Sequence, residues 1–433
     1  MASRRRQSHP RNSGKSRSSQ SGGAAPTEPE PSLIAQQPSG PWIIYMDNNS
    51  TTRTYDDVAQ EVAKASVTLY ANPSSSHLFG RRACDLLKTS RIMIAECLRA
   101  QPEELIFTSG ATESNTLMFG QVRSRSTVII SAIEHPSVKE NADWLAENKG
   151  CRVLRIPVNS RGTIRLDALE EALGEARDLG SSRGAATNIL VSVMFANNEI
   201  GTVQPVREIG ELCRRYGAFF HCDATQYAGK YIAYPAELGV DAMSMSAHKF
   251  HGPKGVGALW VAERHLGWFR ATARGGKQER GIRAGTENTP GIWGMALAMR
   301  RNIRDRDFVA HCRRVRGMRD RIRMALREGI PDIIVNGDEA HMLPNTLSVC
   351  IPNCDSRQLI DRLAGDTESG RKYAICINAG SACSKGKRSQ VLEAIGVSEE
   401  LERGALRISL SRFNTDEECD IVAEAIRKLC REK

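Results

Sequence analysis

Lys249 stands in the pattern richest in chemistry, Ser246-Ala247-His248-Lys249 followed by Gly252-Pro253-Lys254-Gly255-Val256-Gly257. The apolar run Ala242–Ser246 before it reads as a strand, and the glycines after it let the chain turn away. The amine is thereby placed where it can reach a ligand beyond the strand end. Lysine amines form Schiff bases with carbonyl cofactors, pyridoxal 5′-phosphate (PLP) above all. Taken alone, the motif also fits a surface lysine beside a loop.

Other strand ends supply matching pieces. Asp223, in Asp223-Ala224-Thr225-Gln226, follows the strand Ala218–Cys222. A carboxylate there keeps a pyridinium nitrogen protonated, which makes the ring an electron sink; a helix N-cap is the plain alternative. Ser109-Gly110-Ala111-Thr112-Glu113-Ser114-Asn115 follows the strand Leu105–Thr108 and opens a helix, so its free amides and the helix dipole suit a phosphate. Glu134-His135-Pro136 comes after Thr127–Ser131, and an imidazole there can stack on a ring or move protons. Capping or core packing would explain the same histidine. Asn197-Asn198-Glu199-Ile200-Gly201 is a further polar turn, after Asn188–Phe195. Ligands of open α/β sheets bind at the carboxyl ends of strands, so the pieces converge.

The elements that must position them alternate. The strands named above, with Arg152–Val158, are mostly separated by helical stretches such as Pro136–Asn148, Leu166–Leu179 and Val206–Tyr216. That rhythm predicts an α/β fold with a mainly parallel sheet covered on both faces. Beyond about residue 300, charged helices surround shorter strands (Thr346–Ile351, Ala374–Asn378, Ala405–Ser409), which predicts a smaller α+β domain.

Composition narrows the class. The chain has 433 residues and a net charge of +10, with 60 Lys plus Arg against 50 Asp plus Glu. Six of the basic residues (Arg4, Arg5, Arg6, Arg11, Lys15 and Arg17) lie in acid-free residues 1–20; without them the balance is 54 against 50. The body therefore gives little reason to expect a nucleic-acid surface, and any such contact belongs to residues 1–20. Residues 1–40 are poor in branched apolar side chains and are expected to be a disordered basic tail. No apolar run is long enough for a membrane span. The 12 cysteines are scattered without Cys-x-x-Cys or zinc-type spacing, so a reducing compartment and no resident metal are expected.

Together these segments resemble the class V aminotransferase superfamily of PLP enzymes, in its cysteine desulfurase and selenocysteine lyase branch. The resemblance rests on Tyr45-Met-Asp-Asn-Asn-Ser-Thr-Thr52, Asn72-Pro-Ser-Ser-Ser-His77, Thr108-Ser-Gly-Ala-Thr-Glu-Ser-Asn115, Asn197-Asn-Glu-Ile-Gly201, Asp223-Ala-Thr-Gln226, Ser246-Ala-His-Lys249 and Arg283-Ala-Gly-Thr-Glu-Asn288, in the family's order. It implies PLP fold type I, with 41–300 as the large cofactor domain, its first residues shared with a small domain at 301–433, and a homodimer. It further implies that Lys249 forms the Schiff base and abstracts the Cα proton, Asp223 meets the pyridinium nitrogen, and His135 stacks on the ring. Gln226 and Asn198 would bind the phenolic oxygen or the substrate. Ala111, Thr112, Ser246 and His248 would hold the phosphate, with Thr286 reaching in from the partner subunit. Arg407 would clamp the substrate carboxylate, for which an arginine fork is suited.

The resemblance makes Cys383, in Gly380-Ser381-Ala382-Cys383-Ser384-Lys385-Gly386-Lys387, the nucleophile that takes sulfur from L-cysteine, with L-alanine left behind. Lys385, Lys387 and Arg388 could lower its thiol pKa, and its one expected metal contact is transient ligation of an iron–sulfur cluster. Cys376 is expected to pack. Two features depart from the family: the segment after Cys383 is short and basic, and Lys277 stands where a glycine is usual. The expected activity is a PLP-dependent cysteine desulfurase that passes sulfur to an acceptor or scaffold protein for iron–sulfur clusters or thio-modification. Selenocysteine lyase is the rival within the class, and a silent binding protein using the basic tail is the rival outside it. A cytoplasmic setting is expected, with nucleus or mitochondrion as alternatives through the tail.

Overall fold

A computed structural model describes residues 42–182, 188–365, 373–379 and 388–432. The expected disordered tail and the Cys383 loop lie outside the described residues. The first half runs β1 (Trp42–Tyr45), α1 (Asp56–Thr68), α2 (Leu78–Leu98), β2 (Leu105–Thr108), α3 (Ala111–Gly120), β3 (Thr127–Ser131), α4 (Pro136–Lys149), β4 (Arg152–Ile156), α5 (Leu166–Ser182), β5 (Ile189–Ser192), α6 (Val206–Tyr216) and β6 (Phe219–Asp223). Then come β7 (Ala242–Ser246), β8 (Gly257–Val261), α7 (Glu263–Leu266), α8 (Thr289–Ile303), α9 (Phe308–Gly329), β9 (Ile334–Asn336), β10 (Thr346–Cys350), α10 (Ser356–Ala364), β11 (Tyr373–Cys376), α11 (Gln390–Ala394), α12 (Glu399–Glu402), β12 (Ala405–Ser409) and α13 (Asp416–Arg431).

Seven strands form the main sheet in the order β2-β8-β7-β6-β5-β3-β4. From β7 to β4 all neighbours are parallel, while β8 runs antiparallel to both β2 and β7. The mainly parallel sheet is as expected. The antiparallel β8 is not: its opening glycine reads as part of a turn. Helices cover the sheet, so β2, β5, β7 and β8 are buried along their whole length, which is why they are apolar rather than alternating.

Several boundaries move for physical reasons. The strand expected over Arg152–Val158 stops at Ile156 because Pro157 has no amide hydrogen to donate. The one expected over Asn188–Phe195 contracts to β5, though Val193 and Phe195 still donate to the carbonyls of His221 and Asp223. β6 shifts one residue onward, so Asp223 is itself the last strand residue.

A second antiparallel sheet, β12-β10-β9, and the parallel pair β1–β11 share an apolar cluster with α9 and α13, including Ile44, Met46, Ile322, Leu347, Leu406 and Ile426. Residues near the start of the chain are thereby tied to its last third. The tie continues past the strands: Asn48 and Asn49 both bond to Ser409.

Candidate active site

A cavity of about 630 Å3 opens at the carboxyl ends of the parallel strands. Ala111, Thr112, His135, Asn198, Asp223, Gln226, Ser246, His248, Lys249 and Arg407 all line it. Of the sequence-chosen residues that are described, only Thr286 does not, and it is exposed. A second cavity of about 680 Å3 lies at the opposite ends of the same strands, beside Ser126, Ala218 and Asp241, and holds none of these residues.

Lys249 closes a single helical turn directly after β7. Its Nζ donates to the carbonyl oxygens of Asn49 (2.7 Å) and Ser50 (2.8 Å). Burial pulls its pKa down to about 8; Arg407 adds to this, while Asp223 and Asp47 oppose it. A useful fraction of this amine is therefore unprotonated and nucleophilic near neutral pH.

Asp223 ends the neighbouring strand and is buried. Its Oδ2 accepts from Asn115 Nδ2 at 2.9 Å, and its Oδ1 accepts from the Thr225 amide at 3.0 Å and the Thr225 hydroxyl. Asn115 Nδ2 also lies 2.9 Å from Ser137 Oγ, which is 2.8 Å from His135 Nδ1. His135 caps α4, its Nδ1 accepting from the Ser137 amide at 3.1 Å. The ring is exposed at the cavity mouth, yet desolvation by the protein around it lowers its pKa; Asp223 opposes this and Lys249 reinforces it.

Around the start of α3, Glu113 organises the turn. Its Oε2 accepts from the Ser109 amide at 2.7 Å and its Oε1 from Arg283 Nε at 2.8 Å. Burial would raise the Glu113 pKa, but the bonds from Arg283 and Ser109 outweigh it and hold the carboxyl low. Gly257 makes the fit possible. A Cβ there would sit 2.5 Å from the Met245 carbonyl oxygen and 2.6 Å from the Gly110 Cα. Gly110 itself has a φ of 156°. Burial lowers the His248 pKa to about 4, with Lys249 and Lys254 contributing.

Arg407, buried on β12, donates from Nη2 to Asp47 Oδ1 and Ser50 Oγ, both at 2.6 Å, and from Nη1 to the Asn198 carbonyl at 3.2 Å. Gln226 Nε2 donates to the Asn49 carbonyl at 2.9 Å. Arg388, read as a neighbour able to acidify the Cys383 thiol, is paired with Glu402 (2.8 Å) and Glu393 (3.4 Å) and donates to the Val397 carbonyl. Cys383 itself lies outside the described residues. Cys376 is half-buried in β11, and burial raises its pKa. Asn115, Ser137, Asp47, Ser50, Glu113 and Arg283 escaped the sequence reading as site residues. Glu113 and Asn115 lay inside a motif already noticed, and their polarity beside a phosphate turn was the available signal.

The profile described as aminotransferase class-V matches residues 44–422. The chain belongs to this family. It is similar to a cysteine desulfurase of Nostoc sp., with 36% identity over 394 residues that cover 89% of this chain and 92% of the relative. Among solved structures it is similar to a NifS-like protein at TM-score 0.78 and 34% identity, covering 90% of this chain and 100% of that one. A structure described as SspA in complex with cysteine matches at TM-score 0.71 and 29% identity, covering 86% and 100%. Class V aminotransferases use PLP, and the donor set here fits that cofactor. Asp223 is a carboxylate held by three donors, Lys249 an amine of lowered pKa, and the start of α3 with Ser246 and His248 forms a polar cup that an added Cβ on Gly257 would distort. Among the described residues, no group of His, Cys, Asp or Glu could hold a metal.

Proposed function

We propose that this class V chain is a PLP-dependent cysteine desulfurase, taking L-cysteine and an acceptor thiol to L-alanine and a persulfide. The observation that carries the reading is the placement of Lys249 and Asp223 on adjacent strand ends, facing one cavity. When bound, PLP supplies an electron sink for charge at the substrate Cα. Asp223 would face its ring nitrogen, and Ala111, Thr112, Ser246 and His248 its phosphate. Lys249 carries the Cα proton away and returns one, a role suited to an amine with pKa about 8. Arg407 orients the substrate carboxylate, and Asn198 and Gln226 flank it.

Sulfur leaves carbon for the Cys383 thiolate: the C–S bond breaks, an S–S bond forms, and the carbon takes up a proton to become alanine. The persulfide then passes to a protein or small thiol acceptor, for iron–sulfur assembly or thio-modification. Thr286, exposed and not among the residues lining its own chain's cavity, supports pairing of two copies in which it serves the other site. The 12 cysteines are scattered without Cys-x-x-Cys spacing, which favours a reducing, cytoplasmic setting. No described helix is long and apolar enough to cross a membrane.

The test is direct. Purified protein loaded with PLP and given L-cysteine and a reductant should release alanine and sulfide in equal amounts. Cysteine left intact by the loaded protein would overturn the reading.

A further inference from the structure

We propose that Ser137 and Asn115 are positioning residues that lock the His135 imidazole into its neutral tautomer with the proton on Nε2, so that the ring meets the cavity as a hydrogen-bond donor. The argument begins with the Ser137 amide, 3.1 Å from His135 Nδ1. A backbone N–H only donates, so Nδ1 must be bare, and a neutral imidazole then carries its hydrogen on Nε2. His135 is also the N-cap of α4, with Pro136 next. The amides at a helix start favour an acceptor and disfavour a cation.

The second donor follows from Asn115, which is fully buried. Asp223 Oδ2 at 2.9 Å accepts only from the amide nitrogen, which fixes which end of the Asn115 carboxamide is which. The same Nδ2 lies 2.9 Å from Ser137 Oγ. With its oxygen accepting from Asn115, the Ser137 hydroxyl is left to give its own hydrogen to His135 Nδ1, 2.8 Å away. Asn115 thus serves two masters, Asp223 on β6 and Ser137 on α4, while its Oδ1 is buried without a partner. An asparagine that tolerates one orphaned oxygen to keep two directed bonds is held there by those bonds.

Charged groups agree with this assignment. Lys249, after β7, disfavours a second proton on the ring, whereas Asp223 favours one; α3 and α4 present the neutral Asn115 and Ser137. The consequence rests on the cavity being the reacting site, as proposed above. His135 then offers Nε2–H to whatever stands in it, and the base is left to Lys249.

The experiment uses cofactor-free protein labelled with 15N on histidine, so it does not depend on turnover. His135 is assigned by His135→Gln. The wild type should show a bare Nδ1 and a protonated Nε2. Ser137→Ala should raise the pH midpoint of His135 by up to about one unit, the worth of a single hydrogen bond to the neutral ring. Asn115→Leu should move it in the same direction, but add nothing in the Ser137→Ala background. In loaded enzyme, Ser137→Ala should shift the pH profile of kcat and leave KM for L-cysteine unchanged. A proton on Nδ1 in the wild type overturns the proposal. So does an unmoved midpoint in Ser137→Ala, or an Asn115 effect that persists without the serine. If Ser137→Ala misfolds, the wild-type tautomer alone still decides.

Discussion

Arg407 Nη2 lies 2.6 Å from Asp47 Oδ1, joining β12 to the segment just after β1, 360 residues apart. The arginine proposed to hold the substrate carboxylate is therefore already engaged by a carboxylate of its own chain. Nη2 is shared with Ser50, and Nε is buried without a partner. Substrate binding must rearrange this cluster, and the planar fork suits it to do so. Arg407→Lys keeps the charge but loses the fork. It should raise KM for L-cysteine at least roughly tenfold with a smaller effect on kcat. Steady-state kinetics check this, and an unchanged KM would remove Arg407 from the substrate site.

The lowered pKa of Lys249 has a measurable sign. A neutral amine is needed to capture PLP, so uptake by cofactor-free protein should accelerate as pH rises and level off above about 8. Stopped-flow absorbance across pH 6–10 reads the midpoint. A midpoint near that of an ordinary lysine would show that burial does not tune this amine. Lys249→Ala should retain no PLP covalently fixed to the protein by borohydride and lose alanine release by at least roughly 10²-fold.

Gly257 tests the phosphate cup. Its missing Cβ leaves room for backbone atoms at 2.5 and 2.6 Å, which cannot swing aside as a side chain would. Gly257→Ala should weaken PLP binding at least roughly tenfold, corresponding to overpacking of about 1.4 kcal/mol. Equilibrium titration of the cofactor-free variant measures it, with circular dichroism to show that the fold persists.

Glu134 is buried beside the site, and burial, with a smaller contribution from Asp223, lifts its pKa to about 8 despite bonds from the Ser131 hydroxyl and the Met194 amide. A group that binds its proton more tightly when folded stabilises the fold below its unfolded pKa. That contribution fades as pH rises towards 8. Stability should thus fall between about pH 4.5 and 8, by up to about 1.4 kcal/mol per unit from this group alone. Glu134→Gln should flatten the slope in urea denaturation, and an unchanged slope would show that another group carries it.

Cys383→Ser separates the two activities of the branch. Turnover of L-cysteine should drop at least roughly 10²-fold, because a serine hydroxyl is a poor nucleophile towards sulfur. Selenocysteine, with its weaker C–Se bond, should still lose selenium. Persulfide mapped by a thiol label to Cys376 instead would overturn the assignment.

Lys249, Asp223 and His135 were legible because each follows a short apolar run and precedes a turn, a local pattern that the α/β fold turns into one sheet edge. Asn115 showed only as a polar residue beside a phosphate turn and Ser137 not at all, since their bonds reach 108 and 22 residues along the chain. Asp47 was quoted within a motif, yet nothing nearby pointed to Arg407. The direction of β8 was hidden for a related reason: an apolar run is the same read from either end, and only pairing with β2 and β7 sets it.

The union of Asp47 and Asn49 with Arg407 and Ser409 also bears on how the molecule comes into being. On the ribosome, the sheet bearing Lys249 and Asp223 can assemble while the last third of the chain is still unmade. The proposed substrate-binding corner cannot, because Arg407 and Ser409 each follow their partners Asp47 and Asn49 by 360 residues. A nascent chain lacks that corner until Arg407 has been made, and a message cut short before it yields protein without the arginine proposed to grip cysteine.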